Sequence, residues 1–340
     1  GFSAQSLSDR INDAQAKVLV TADGGWRRGD VFPLKPHADE ALQTTPTITD
    51  VVVVRRGGND VTMVEGRDHW WHDIVAGKDC AIATVEMNAE DPAILLYTSG
   101  TTGEPKGCVW THIGFIGSMV TRDMIICADF KSSDRFFFLS DMGWMVGAMC
   151  ACIPSFAGAS LLIAEGTPDF PDTGRFWRLI QDHRVSYLGV SPTIVRSLMR
   201  YGTQDVERHD LSSLRMTASG GEAWTNAPWQ WFFEHVCKRR LPIINISGGT
   251  EVGGCIFTGT PNHPMNPGSF SRPALGVGAD IVDMSGKSLP PGEVGELVLR
   301  HASIGLTKSL WKADARYIES YWSTLPGLWV HGDFAMRGHD

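Results

Sequence analysis

Tyr97-Thr98-Ser99-Gly100-Thr101-Thr102-Gly103-Glu104-Pro105-Lys106-Gly107 follows the short apolar run Ala93-Ile94-Leu95-Leu96, which reads as a buried strand. From Thr98 to Gly107 the chain carries three glycines, four hydroxyl side chains and one lysine. Glycine lets backbone N–H groups turn toward a bound anion, and hydroxyls add donors. Lys106 adds a compact positive charge suited to phosphate. A loop of this composition at the end of a strand reads as a cradle for the phosphates of ATP. It is not a Walker A loop, G-x-x-x-x-G-K-[ST], because Lys106 follows Pro105 and precedes Gly107. A glycine- and threonine-rich surface turn is the competing reading.

Around this loop lies an ordinary globular composition. The 340 residues are 43% hydrophobic and 20% charged, enough for a large core and more than one subdomain. A net charge of −8 argues against a nucleic-acid partner, which would need a basic face. There is no run of 18 apolar residues, so no membrane segment is expected. Seven cysteines with no C-x-x-C pair point to reduced thiols and a cytoplasmic protein, not to a disulfide frame or a zinc site. Cys150 and Cys152 read as small core residues. The chain starts Gly1-Phe2-Ser3 and stops at Asp340 just after Gly338-His339, so it reads as a piece of a longer protein.

Helical spacing over Ser6–Ala16 precedes an apolar strand at Val18–Val20, and a helical stretch at Asp39–Leu42 precedes another strand at Val51–Val54. Alternation of this kind predicts an α/β layered fold. Arg67 to Asp73 holds two histidines and two aspartates beside Trp70 and Trp71, which suits either a metal site or, as the favoured reading, a packed helix face. Residues 75–91 read as an exposed connector. Thr111–Cys127 reads as a helix packed behind the phosphate site. Phe136–Leu139 is a buried strand that leads into Ser140-Asp141-Met142-Gly143-Trp144-Met145-Val146-Gly147. Ser160–Ile163, a helix over Phe176–Asp182 and Tyr187–Val190 make a βαβ unit with parallel strands. Two further strands, Leu214–Ala218 and Ile243–Ile246, lead into Ser219-Gly220-Gly221-Glu222-Ala223 and Ser247-Gly248-Gly249-Thr250-Glu251. Two successive Gly-Gly turns that each carry a glutamate are unusual for plain loops. Glycine lets a flat base approach the backbone, and Glu251 can hold a magnesium ion near phosphates. From Gly278 on, short alternating strands with Pro/Gly turns suggest a small β-barrel-like subdomain.

Thr98 to Gly107 resembles the signature loop of the adenylate-forming (AMP-binding) superfamily, and Gly1 to Leu42 resembles its acetyl-CoA synthetase-like branch. The resemblance runs from end to end, with the motifs in family order. It implies an AMP-binding α/β core over residues 1–277, incomplete at its N-terminus, and a β-rich subdomain over 278–340 leading to a hinge. The family's C-terminal domain lies beyond Asp340. The implied ATP-binding set is Thr98, Ser99, Gly100, Thr101, Thr102, Gly103, Gly221, Glu222, Ala223, Asn245, Ile246, Ser247, Gly248, Gly249, Thr250 and Asp333. In that set the turn at Gly221 faces adenine, with Ala223 where the family has proline, and Asp333 holds the ribose hydroxyls. Lys106, Thr250 and Glu251 are the implied catalytic groups, with Glu251 the Mg²⁺ ligand. Trp144, Met145, Val146 and Gly248 are the implied acyl pocket, with plain core as the less favoured reading of Trp144. The family commonly places an aromatic ring where this chain has Ser247, and acetyl-CoA synthetases a tryptophan where it has Gly248. The expected reaction joins a carboxylic acid to ATP, giving acyl-adenylate and pyrophosphate, and then transfers the acyl group to CoA. An acid larger than acetate is expected. Adenylation onto a non-CoA acceptor, or a non-catalytic nucleotide-binding module, are the alternatives.

Overall fold

A computed structural model describes residues 3–79, 81–98 and 105–339. Ser99, Gly100, Thr101, Thr102 and Gly103 of the expected cradle lie outside the described residues. The chain forms two compact units. The first draws on Gly1–Asn88, Tyr97–Gly107 and Glu165–Pro171, and the second on Ala89–Leu96, Cys108–Ala164 and Asp172–Asp340. The change of pattern at Gly278 falls inside the second unit.

In the first unit, Val18–Ala22, Asp50–Val54 and Asp68–Trp70 form a parallel three-stranded sheet with Asp50–Val54 in the middle. Helices Ala4–Ala14 and Lys35–Leu42 accompany it, close to the expected positions. Asp23 follows the first strand, buried, where its carboxylate accepts the backbone N–H groups of Gly24, Arg56 and Gly57 at 2.7 Å and of Gly58 at 2.8 Å. Burial pushes its pKa up, but these four donors outweigh that and hold it below the usual carboxylate range. The Arg67–Asp73 stretch is split between two elements. His69 lies on the strand, 3.1 Å from Asp50, while exposed His72 lies on the short helix Trp71–Val75. Asp68 pairs with fully buried Lys35 at 2.7 Å; burial opposes ionisation, yet Arg67 and Lys35 bring its pKa down to about 2. Among the described residues no group of three or more His, Cys, Asp or Glu side chains could hold a metal.

The second unit is built on a parallel five-stranded sheet in the order Ile243–Asn245, Met216–Ser219, Tyr187–Val190, Arg135–Phe138, Ser160–Leu162. Ser160–Leu162 and Tyr187–Val190 are parallel members of one sheet, as their βαβ connection predicts, with Arg135–Phe138 between them. Successive side chains alternate between faces. Phe137, Leu188 and Ile243 enter one core with the helix Arg175–Asp182, whereas Phe136, Phe138, Tyr187 and Ile244 enter another. The segment predicted as a helix after Thr111 is helical, but from Phe115 to Cys127 it winds with the wider hydrogen-bond spacing of a π-helix. Two antiparallel three-stranded sheets follow. One joins Ser247–Gly249, Gly254–Thr258 and Arg272–Pro273; the other joins Ala279–Val282, Val294–Leu299 and Trp329–Met336. They share a core in which Cys255, Ile256, Leu297, Leu299 and Trp329 meet Tyr317 and Tyr321 of the helix Asp314–Tyr321.

Candidate active site

Both Gly-Gly turns leave the C-terminal ends of neighbouring parallel strands, Met216–Ser219 and Ile243–Asn245, the edge where open α/β sheets bind ligands. They open onto a cleft of about 950 Å³, a size that suits a small-molecule site. Gly221, Glu222 and Ala223 line it from the first turn, and Ile246, Ser247 and Gly248 from the second. Asp333 joins them from the strand Trp329–Met336. Three stretches read separately in the sequence therefore meet in one place.

The two glutamates are held differently. Glu222 accepts the Thr193 N–H at 2.8 Å and a hydrogen bond from the Arg196 guanidinium. Burial raises its pKa, but Thr193 and Arg196 outweigh it, and the carboxyl stays below the usual range. Glu251 lies outside the cleft lining. Its carboxylate sits beside the Gly249 Cα, one oxygen 3.1 Å from where a Cβ would be, and it interacts with the Tyr321 hydroxyl. Burial first and the Glu251 charge second push the Tyr321 phenol upward. The backbone on either side is pinned. The Thr250 carbonyl accepts the Trp110 indole N–H at 2.7 Å, and the Glu251 carbonyl accepts the Thr307 N–H at 2.8 Å.

Asn245 is buried below the turn, its Nδ2 donating to the Ser269 carbonyl at 2.8 Å. Asp333 is exposed, with its carboxylate 3.1 Å from His331 Nδ1. Trp144, Met145 and Val146 do not line the cleft. Trp144 is 59% exposed at the start of the helix Met145–Ala157, and Met145 and Val146 pack on the Phe136 core. Trp224, next to Ala223, is buried against Phe232. Thr98 ends the strand Pro92–Thr98 and Lys106 begins the strand Lys106–Thr111, and these two strands pair.

A family model described as AMP-binding enzyme matches residues 1–311. The chain belongs to this family. Its sequence is 42% identical over its whole length to an acetyl-coenzyme A synthetase from Rubrobacter xylanophilus, of which it covers 53%. It is 39% identical over its whole length to another acetyl-coenzyme A synthetase, from Rhodopirellula baltica, covering 51% of it. Its fold matches the acetoacetyl-CoA synthetase from Streptomyces lividans with a TM-score of 0.89 at 28% identity, over 98% of this chain and 51% of that one. The chain spans about half the length of the curated relatives it matches. The match places the fold among AMP-binding enzymes, with mixed sheets and helices in the expected arrangement.

Several residues in and behind the cleft were not singled out in the sequence. Phe257 and Phe270 line the cleft, and so does Arg337, whose guanidinium donates to buried Asp280 at 3.0 Å. Asp280 also accepts from Ser288 and Arg300 at 2.6 Å; these bonds overcome burial and keep its carboxyl ionised below the usual range. Behind the second turn, Arg122 and Asp123 are both buried and joined at 2.6 Å. Asp123 accepts the Cys255 N–H at 2.7 Å while Arg122 donates to the Cys255 carbonyl at 3.2 Å. An adjacent Arg-Asp pair inside the apolar run Phe115–Cys127 was the available signal, because buried charges come in pairs.

Proposed function

We propose that this chain is the nucleotide-binding part of an AMP-forming acyl-CoA synthetase, acting on a carboxylic acid larger than acetate with ATP and CoA as co-substrates. The observation that carries the reading is the cleft, where a glycine turn open to a flat base, a braced second turn and Asp333 come together. The family match and the relatives' names support it.

In the proposed reaction a carboxylate oxygen attacks the α-phosphorus of ATP and the bond to pyrophosphate breaks. The CoA thiolate then attacks the acyl carbon and AMP leaves. The first step starts from a carboxylate and needs no general base, so the protein's contribution is positioning and charge stabilisation. The backbone of Gly221 to Ala223 would receive the adenine face, and Asp333, an acceptor with two oxygens, the ribose hydroxyls. Thr98, Thr250 and Lys106 would serve the phosphates. Glu251 offers one hard oxygen donor on a pinned backbone. That fits Mg²⁺, which takes one or two carboxylates plus substrate phosphates and not an all-protein cage. When bound, the ion would neutralise phosphate charge. The described cysteines, most of them buried and none in a disulfide, suit a reducing compartment such as the cytoplasm.

The size of the acid rests on Gly248, which carries no side chain to close a pocket. A Cβ there would lie 2.0 Å from the Gly254 carbonyl oxygen, so this backbone has no room for a ring at 248. Each further buried methylene would favour a longer acid by about 0.8 kcal/mol. ATP–pyrophosphate exchange by the full-length gene product, across acetate, butyrate, hexanoate and acetoacetate, tests the proposal. Acid-dependent exchange supports an adenylating enzyme, and acyl-CoA formation identifies the acceptor. Nucleotide binding without exchange would mean a non-catalytic module, and a preference for acetate would end the larger-acid reading. Lys106→Ala and Glu251→Gln should each slow exchange by roughly 10²–10³.

A further inference from the structure

The second turn supplies no aromatic surface to the cleft. Ser247 has no ring, and Gly248 is closed to any side chain by the Gly254 carbonyl. Ring surface enters one strand away. Phe257 is the cross-strand partner of Ser247, and directly opposed residues share a face of an antiparallel pair. Its ring stacks on that of Phe270, with centroids 5.9 Å apart and planes within 15°. Both rings line the cleft together with Gly221 and Ala223, and Phe270 remains 36% exposed. The backbone carrying Phe270 is fixed on both sides. Asn245 Nδ2 donates to the Ser269 carbonyl, and Ser271 Oγ donates to the Pro264 carbonyl at 3.0 Å. A partly exposed ring on a backbone held on both sides offers a flat ligand a π-face at little ordering cost.

We propose that the Phe257–Phe270 pair is the base-stacking platform of this nucleotide site, with Phe270 against the purine, Phe257 supporting it, and Asn245 acting as a positioning residue. The platform takes over the role that a ring at position 247 would fill. The proposal rests on the nucleotide reading above and deepens it. Its ligand class is a nucleotide with a planar base, because stacking needs a π-face and tolerates different bases.

The test is calorimetric titration of the full-length gene product with Mg²⁺ and either ATP or inorganic tripolyphosphate, a probe that has the charge and no base. Phe270→Ala should weaken ATP about 5- to 140-fold, which is roughly 1–3 kcal/mol converted at 1.4 kcal/mol per tenfold, and leave tripolyphosphate unchanged. Phe270→Trp should restore ATP binding, while Phe270→Leu should not. Asn245→Ala should weaken ATP by less, again sparing tripolyphosphate. An alanine variant that binds ATP as wild type does overturns the platform. So does full rescue by leucine, which would mean simple filling of space, or parallel loss of both probes, which would mean collapse of the segment. Wild-type protein that binds neither probe overturns the nucleotide reading itself, an outcome distinct from all of these.

Discussion

The two Gly-Gly turns look alike in sequence and are opposite in construction. At the first, Gly221 has φ +94° and a Cβ would meet nothing within 4 Å, so its backbone faces open space. At the second, the backbone is braced by its neighbours. Gly248 abuts the Gly254 carbonyl, and the N–H groups of Val252 and Gly253 return to the Gly249 carbonyl at 3.0 and 3.1 Å. Trp110 and Thr307 hold the carbonyls of Thr250 and Glu251, and the Arg122–Asp123 pair grips Cys255 on the next strand. Their glutamates have different partners: Glu222 is bound to the neighbouring helix Pro192–Met199, while Glu251 meets the Tyr321 hydroxyl from a backbone held by Thr307. An open turn suits a surface that a base covers. A braced one suits a charge that must not move as a reaction proceeds.

The largest effect should come from removing the brace. Asp123→Ala leaves Arg122 buried without its partner, which typically costs about 3–5 kcal/mol. The midpoint of urea unfolding measures it. A loss under about 1 kcal/mol would mean that the second turn does not depend on the pair.

Next come the glycines, whose substitution separates collision from strain. Gly248→Ala drives a methyl into the Gly254 carbonyl and should cost about 1–3 kcal/mol, as overpacking does. Gly221→Ala meets no atom, yet must hold a backbone angle that L-residues avoid, at about 1–2 kcal/mol. Only the second penalty should fall if the turn relaxes, so Gly221→Asn, a residue better suited to positive φ, should recover part of it. Equal behaviour of Asn and Ala at 221 would remove the strain argument.

The contrast between the turns also explains what the sequence could convey. The parallel strands at Val51, Phe136, Tyr187 and Ile243 were legible because strands buried on both faces read as unbroken apolar runs. Each turn was legible as a Gly-Gly pair followed within two residues by a glutamate at a strand end. What encloses them was not. Phe270 sits in Pro261–Pro273, a proline-rich stretch with no period to read, and its backbone is held by the bonds of Asn245 to Ser269 and of Ser271 to Pro264. Phe257 reads only as one apolar residue in a strand; its role comes from the ladder partner, Ser247, ten positions earlier. Within the π-helical stretch Phe115–Cys127, Arg122 and Asp123 bond to Cys255, far along the chain. Long-range partners such as these leave no local periodic trace.

The smallest effect, and the one most specific to the open turn, concerns Glu222. Glu222→Gln keeps an oxygen for the Thr193 N–H and replaces the charged acceptor facing Arg196 with an amide NH2. The pair is partly exposed, its side chains 40% and 34% accessible, so solvent screening limits its worth to about 0–1 kcal/mol. Its pH dependence is diagnostic. Burial acts to raise the Glu222 pKa, but Thr193 and Arg196 lower it overall, so the folded value lies below the unfolded one. The unfolded state then binds the proton more readily. The stabilisation is present above the unfolded glutamate pKa of about 4.3 and is lost as pH falls through the folded value. The stability gap between wild type and Glu222→Gln should therefore stay level from about pH 7 to pH 5, and then narrow toward pH 3. Added salt at neutral pH should narrow it as well. Urea midpoints of the two proteins across that range decide the matter. A gap that widens on acidification would mean that Glu222 is protonated in the fold, and the first turn would then present a neutral donor at the cleft.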